Sequence, residues 1–148
     1  MIVFALRHAN RKPDPADDLT PAGVARAKLL ARMLGESGIR VAFCSDAIRT
    51  QRTMEPLKNL PGVQLEIVTV AASAADHVQQ IVDGVKALPH DAVAAVVGHS
   101  DTVRPIIEGL TGIAVDGISA HEFDRLYVVS VAAGGASSVA LTRYGDPT

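Results

Sequence analysis

Aromatic side chains are scarce: three Phe, two Tyr and no Trp among 148 residues. A core in a chain of this length must then be built from Val, Ala, Leu and Ile. Cysteine is scarcer still. The single Cys44 excludes an internal disulfide and leaves a reducing compartment as the default. Charge of one sign is also missing. A net charge of -2 with 20% charged residues gives no electrostatic case for nucleic acid or a membrane surface. No apolar run approaches the roughly 18 residues of a membrane span. "MIVFAL" has no basic segment before it and ends after six residues, too short for the apolar core of a signal peptide. No His-x-His or His-x-x-x-His pair occurs, so nothing signals a metal. The expectation is one cytoplasmic domain over 1–148, a monomer or weak homodimer, with no metal and no cofactor.

What is present is alternation. "IVFAL" (2–6) reads as a buried strand. The next segment, "DLTPAGVARAKLLARMLGESG", reads as a helix with Thr20 as N-cap, Pro21 at its first position and Leu19 stapled against Val24. Its apolar face is Val24, Ala27, Leu30, Ala31 and Leu34, with Arg26, Lys28 and Arg32 largely off it and Gly35 and Gly38 at its end. "IRVAFC" (39–44) is a second strand, and "DAIRTQRTMEPLKNL" a second helix kinked or ended near Pro56. "VQLEIVTV" (63–70) alternates as a strand should. "AADHVQQIVDGVKALP" is a third helix, "AVAAVV" (92–97) a strand buried on both faces, and "TVRPIIEGLTG" a fourth helix with Pro105 in its first turn. "RLYVVSVAAGGASSVALTRY" then gives two strands turned at Gly134-Gly135. The fold class that follows is α/β: a three-layer sandwich with a mainly parallel sheet, helices on both faces and a C-terminal antiparallel hairpin. "NRKPDPADD" (10–18) is the one long polar loop, and its composition suits a mobile flap.

Ligands in such sheets sit beyond the carboxyl ends of the strands. Three strands end in polar groups: Arg7-His8, Ser45-Asp46 with Arg49, and Gly98-His99-Ser100. Two arginines, two histidines and two helix N-termini on one edge make an anion site, because guanidinium forks match phosphate oxygens and helix ends add oriented N–H donors. Neutral imidazole in such a site can also attack phosphorus. Each residue alone has an ordinary alternative: Arg7-His8 a surface pair, Arg49 a solvated helix residue, His99 a core histidine bonded to backbone. Their placement at three strand ends argues against coincidence. His77, His90 and His121 lack that placement and read as surface or structural residues, and Tyr127 and Tyr144 as hairpin packing.

With these motifs the chain resembles the histidine phosphatase superfamily, the phosphoglycerate-mutase-like proteins. The matching segments are "LRHA" (6–9), "LTPAG" (19–23), "CSDAIRTQRT" (44–53), "VVGHSDTV" (96–103) and "EFDRLYVV" (122–129), in that order. The resemblance implies that His8 is the catalytic nucleophile, becoming phosphohistidine, while Arg7, Arg49 and His99 bind the phosphoryl oxygens. It implies a phosphorylated protein or a small phosphate ester as substrate. Ala9 replaces the glycine that follows the histidine in many members. Larger members carry a general-acid glutamate and a lid after the third strand, whereas "VTVAASAADHVQQ" has neither a glutamate nor room for a lid. Asp76, Asp101 and the flap residues Asp14, Asp17 and Asp18 remain open as the acid. Short length and the missing lid suit the small phosphohistidine-phosphatase type. A binding module that keeps the pocket without catalysis is the alternative, which retention of His8 beside Arg7 disfavours.

Overall fold

Strands and helices alternate along the chain of the computed structural model, which describes residues 1–148. They are β1 (Ile2–Arg7), α1 (Pro21–Leu34), β2 (Val41–Ser45), α2 (Ile48–Lys58), β3 (Gln64–Val68), α3 (Ala74–Lys86), β4 (Val93–Gly98), α4 (Val103–Thr111), β5 (Arg125–Ser130) and β6 (Ser138–Arg143). One sheet takes the order β3-β2-β4-β1-β5-β6. Its first four strands are mutually parallel, and β5 and β6 join antiparallel, β5 on β1 and β6 on β5. This is the mainly parallel sheet with a closing hairpin that the sequence pattern predicts.

The period-2 alternation of β1 divides the core. Val3 and Ala5 face one way, into a cluster with Ile81, Val82 and Val85 of α3 and Ile106, Ile107 and Leu110 of α4. Leu6 faces the other way, into a cluster with Leu30, Ala31 and Leu34 of α1 and Met54 and Leu57 of α2. A strand with helices on both sides must be apolar on both faces, and for that reason β1 and β4 read as continuous apolar runs.

The start of α1 follows its sequence signals. The Thr20 side chain accepts from the Gly23 amide, and Pro21 opens the helix. Leu19 is buried with Ala9 and Ala27, and Val24 packs against them. The glycine of "LTPAG" is required by contact: a Cβ on Gly23 would lie 2.1 Å from the Asn10 carbonyl oxygen.

α2 runs to Lys58 and so ends near Pro56, as expected. Pro56 lies in the last turn, and the carbonyl it leaves unpaired is that of Arg52, an exposed residue that water can reach. Arg26, read as lying off the apolar face of α1, is 5% exposed. Its guanidinium donates to the Asn10 side chain at 2.8 Å, the Tyr144 carbonyl at 2.5 Å and the Asp146 carbonyl at 2.7 Å. The C-terminal segment folds over that side of α1.

Candidate active site

β2, β4 and β1 are neighbours and parallel, so the residues that leave their C-terminal ends stand side by side. Beyond those ends lies a cavity of about 490 Å³ lined by Arg7, His8, Arg49 and His99, with Arg11 and Asp101 as its other charged residues. All four residues expected at the site therefore share one cavity.

His8 continues the β1 ladder, its amide donating to the Gly98 carbonyl at 2.9 Å. Its ring Nδ1 lies 2.9 Å from the carbonyl oxygen of Ala9. A carbonyl only accepts, so Nδ1 carries the proton and Nε2 holds the lone pair. Burial, then the positive charge of Arg7, lowers the imidazole pKa from 6.5 to about 3, even though the Ala9 hydrogen bond acts in the opposite direction. The ring is neutral at physiological pH, as nucleophilic attack requires. Thr53 fixes the next peptide: its hydroxyl accepts from the Ala9 amide at 2.9 Å and donates to the Arg49 carbonyl at 2.7 Å.

Arg7 is held by main chain. Its Nη1 donates to the carbonyls of Ser119, Ala120 and Glu122 at 3.1, 2.9 and 2.9 Å, and its guanidinium carbon lies 4.1 Å from the Phe123 ring centroid. Nε is buried without a partner. Burial, followed by Arg11 and Arg49, lowers the Arg7 pKa to about 10, so it remains a cation. The loop that holds it is tied in turn by Glu122, whose carboxylate accepts from the Ser119 amide and from Arg125 and Arg143.

His99 stands where β4 ends. A Cβ on Gly98 would lie 2.8 Å from the Thr102 hydroxyl, and that hydroxyl accepts from the His99 amide at 2.9 Å. The ring bridges two partners, with Arg49 Nη2 3.2 Å from Nδ1 and the Ser45 hydroxyl 2.8 Å from Nε2. Guanidinium can only donate, so Nδ1 accepts and Nε2–H donates to Ser45. Burial, then Arg49, lowers its pKa to about 4. The rings of His8 and His99 meet edge to face, with centroids 5.6 Å apart.

Arg49 lies in the first turn of α2, as expected, but that helix end is not open. The carboxylate of Asp17 accepts from the amides of Ile48 and Arg49 at 2.8 and 3.2 Å and from Arg49 Nη1 at 2.7 Å. Burial raises the Asp17 pKa, and the Arg49 and backbone hydrogen bonds outweigh it to leave a net depression. The flap is thus anchored to the site, further tied by pairs of Arg11 with Asp14 and of Lys12 with Asp18. Of Arg49's guanidinium, the buried Nε alone lacks a partner.

Among the aspartates considered as acids, Asp101 lines the cavity, whereas Asp76 is an exposed residue of α3. Cys44 is buried and its pKa is pushed up to about 12, chiefly by desolvation, so it is an inert thiol. No group of three His, Cys, Asp or Glu side chains is arranged to hold a metal ion. Sequence reasoning offered Asp17 only as a candidate acid and gave no role to Arg11, Thr53, Ser45 or the 119–123 loop. Ser45 and Thr53 were within reach, since both lie in "CSDAIRTQRT".

The model of the histidine phosphatase superfamily (branch 1) matches residues 6–72, which carry the His8 and Arg49 segments. Over those residues the chain is similar to that superfamily. No curated protein matches it by sequence. Solved structures match it along nearly its whole length. The protein histidine phosphatase SixA in complex with tungstate is 18% identical, with 97% of each chain covered and a TM-score of 0.71. A protein of Agrobacterium tumefaciens named as phosphohistidine phosphatase SixA is 19% identical, covering 97% of this chain and 98% of that one, with the same TM-score of 0.71. A mycobacterial glucosyl-3-phosphoglycerate phosphatase is 12% identical, covering 97% and 99%, also with a TM-score of 0.71. At these identities the likeness is one of fold. No helix of the chain is long and apolar enough to cross a membrane.

Proposed function

We propose that this chain is a histidine phosphatase that hydrolyses phosphorylated substrates through a covalent phosphohistidine on His8. The observation that carries the reading is the Nδ1–H bond to the Ala9 carbonyl, which leaves Nε2 as the lone-pair atom of a neutral ring lining an arginine-rich cavity. Nε2 attacks phosphorus, and the P–O or P–N bond to the leaving group breaks with its electron pair going to the leaving atom. Arg7 and Arg49 offset charge on the phosphoryl oxygens. His99 orients Arg49 and completes the phosphoryl pocket. Water then attacks the phospho-His8 phosphorus, and the electron pair of the P–N bond returns to Nε2.

The substrate class we favour is a phosphorylated side chain on a protein. Only residues 69–73 join β3 to α3, so no lid closes over the cavity from that side, and a bulky carrier can approach. The fold likeness to a protein histidine phosphatase agrees with this, and the likeness to a sugar-phosphate phosphatase keeps small esters as the competing class. The single buried thiol suits the reducing cytoplasm, where we place the enzyme.

The test is to mix the chain with a labelled phosphoryl donor, quench in denaturant and look for phosphate bound to protein. An acid-labile, alkali-stable adduct that maps to His8 is expected. A chain that binds tungstate yet forms no adduct and releases no phosphate would be a binding module.

A further inference from the structure

The cavity over His8 contains three arginines and one acid. Asp101 is the sole carboxylate among its lining residues and lies two positions past His99, just ahead of α4. It is exposed and forms no salt bridge, whereas Asp14, Asp17 and Asp18 of the flap are each paired with a basic side chain. Its charge reaches the site, acting to raise the pKa of both Arg7 and His99 against the stronger effect of burial. In a site for a phosphoryl dianion a free carboxylate works against binding, because like charges repel. Such a group is tolerable where the substrate brings a hydrogen-bond donor to meet it.

We infer that Asp101 is a specificity-determining residue that accepts a hydrogen bond from the free ring N–H of a phosphorylated imidazole, keeping that ring protonated while its phosphoryl group is transferred. The inference rests on the phosphatase reading above and narrows its substrate class to phosphoramidates of imidazole.

The chemistry balances without a general acid. In a protonated phosphoimidazole, one ring nitrogen carries phosphorus and the other a proton. The lone pair of His8 Nε2 forms the new N–P bond. The substrate's N–P bond breaks, and its electron pair goes to the departing nitrogen. The ring leaves as neutral imidazole, still holding its N–H against Asp101, and no proton moves. The Ala9 carbonyl does the same for the enzyme's own ring. It holds Nδ1–H, so phospho-His8 is the protonated form and leaves as neutral imidazole when water attacks. The water proton passes to solvent. A phosphate ester has no N–H on its leaving group, gains nothing from the carboxylate and meets only its repulsion. Asp76 cannot serve in this way because it does not line the cavity.

The experiment compares kcat/KM for a phosphohistidine peptide, p-nitrophenyl phosphate and an alkyl phosphate, across pH 6 to 9, using the full chain and its Asp101→Asn and Asp101→Ala variants. A hydrogen bond to a charged partner is worth about 1.5–3 kcal/mol. The ratio of phosphohistidine to aryl phosphate activity should therefore fall by about 10- to 100-fold in Asp101→Asn and further in Asp101→Ala. The alkaline limb for phosphohistidine should move to lower pH in both variants, because the substrate ring then loses its proton more easily. A role limited to structure would leave both the ratio and that limb unchanged, and either result overturns the inference. A loss confined to the alkyl ester also overturns it and makes Asp101 an acid toward oxygen. A wild-type chain active on the aryl phosphate and inactive on phosphohistidine overturns it while the phosphatase reading stands. Inactivity on all three substrates would bring down the phosphatase reading itself.

Discussion

Asp17 and Arg49 are joined through both backbone and side chain: one carboxylate oxygen accepts from the Arg49 amide at 3.2 Å and from its Nη1 at 2.7 Å. The contact ties the 10–18 loop to the candidate site and sets the plane of the guanidinium whose Nη2 reaches His99. Asp17→Ala should cost about 1 kcal/mol of stability, as loss of a helix N-terminal cap does. It should also raise KM for a phosphate ester more than it lowers kcat, since Arg49 would lose its support before the substrate arrives. Denaturant melts together with steady-state kinetics check both parts.

Arg49→Lys keeps the charge and discards the fork. A lysine cannot reach Asp17, His99 and a phosphoryl oxygen together, so kcat/KM should fall by about 100-fold, the cost of one transition-state donor. A variant within a few-fold of wild type would remove Arg49 from the phosphoryl pocket.

His8→Ala should abolish turnover while the fold persists, because the ring lines the cavity and lies outside the two large core clusters. Tungstate or vanadate should still bind, more weakly, through Arg7 and Arg49. Wild-type activity should survive a strong chelator, since no step is routed through a metal. Loss of activity in chelator, restored by zinc or manganese, would contradict this.

The two site histidines set a pH dependence whose sign follows from linkage. Both fold with lowered pKa, about 3 for His8 and about 4 for His99, against 6.5 for the free side chain. Between those values the unfolded chain binds protons that the native chain does not, so stability rises with pH through the window. The contribution is fully present above 6.5 and is lost as pH falls toward 4 and then 3. In NMR titrations neither imidazole should change charge between pH 5 and 8. A His8 midpoint near 6.5 would show that its ring is solvated in solution.

Gly23→Ala puts a methyl group 2.1 Å from the Asn10 carbonyl oxygen, a backbone atom. The loop must move, at a cost of about 1–3 kcal/mol. Because Asn10 adjoins the Ala9 carbonyl that orients His8, kcat should fall as well. Thermal melts and kinetics on the same preparation check the pair of effects.

The layout of this site was legible where side-chain chemistry marks it. Arg7, His8, Arg49 and His99 interrupt apolar strands or open helices, and strand order alone brings them to one edge. What holds them was not legible. Arg7 is gripped by three main-chain carbonyls of residues 119–122, and a carbonyl leaves no trace in residue identity. Arg26 falls off the apolar face of its helix, yet is buried because a segment 118 residues later covers it. A helical period reports only the helix's own faces. The flap looked free because its Asp and Pro residues suit a solvated loop, but Asp17 and Asp18 meet cations supplied from elsewhere in the chain or from within the loop itself.

The sheet order also determines which parts of the protein open first. β4 and β1, which deliver His99 and His8, occupy the two central positions, while β3 and β6 form the rims, with Ile67 and Leu141 about half exposed. Amide exchange should run fastest at the rims and slowest along Val3–Leu6 and Ala94–Val97, whose hydrogen bonds break only when the whole sheet comes apart. Fraying of either rim then leaves the paired histidines in register. Catalytic competence should outlast the first losses of strand signal on warming and vanish only with global melting.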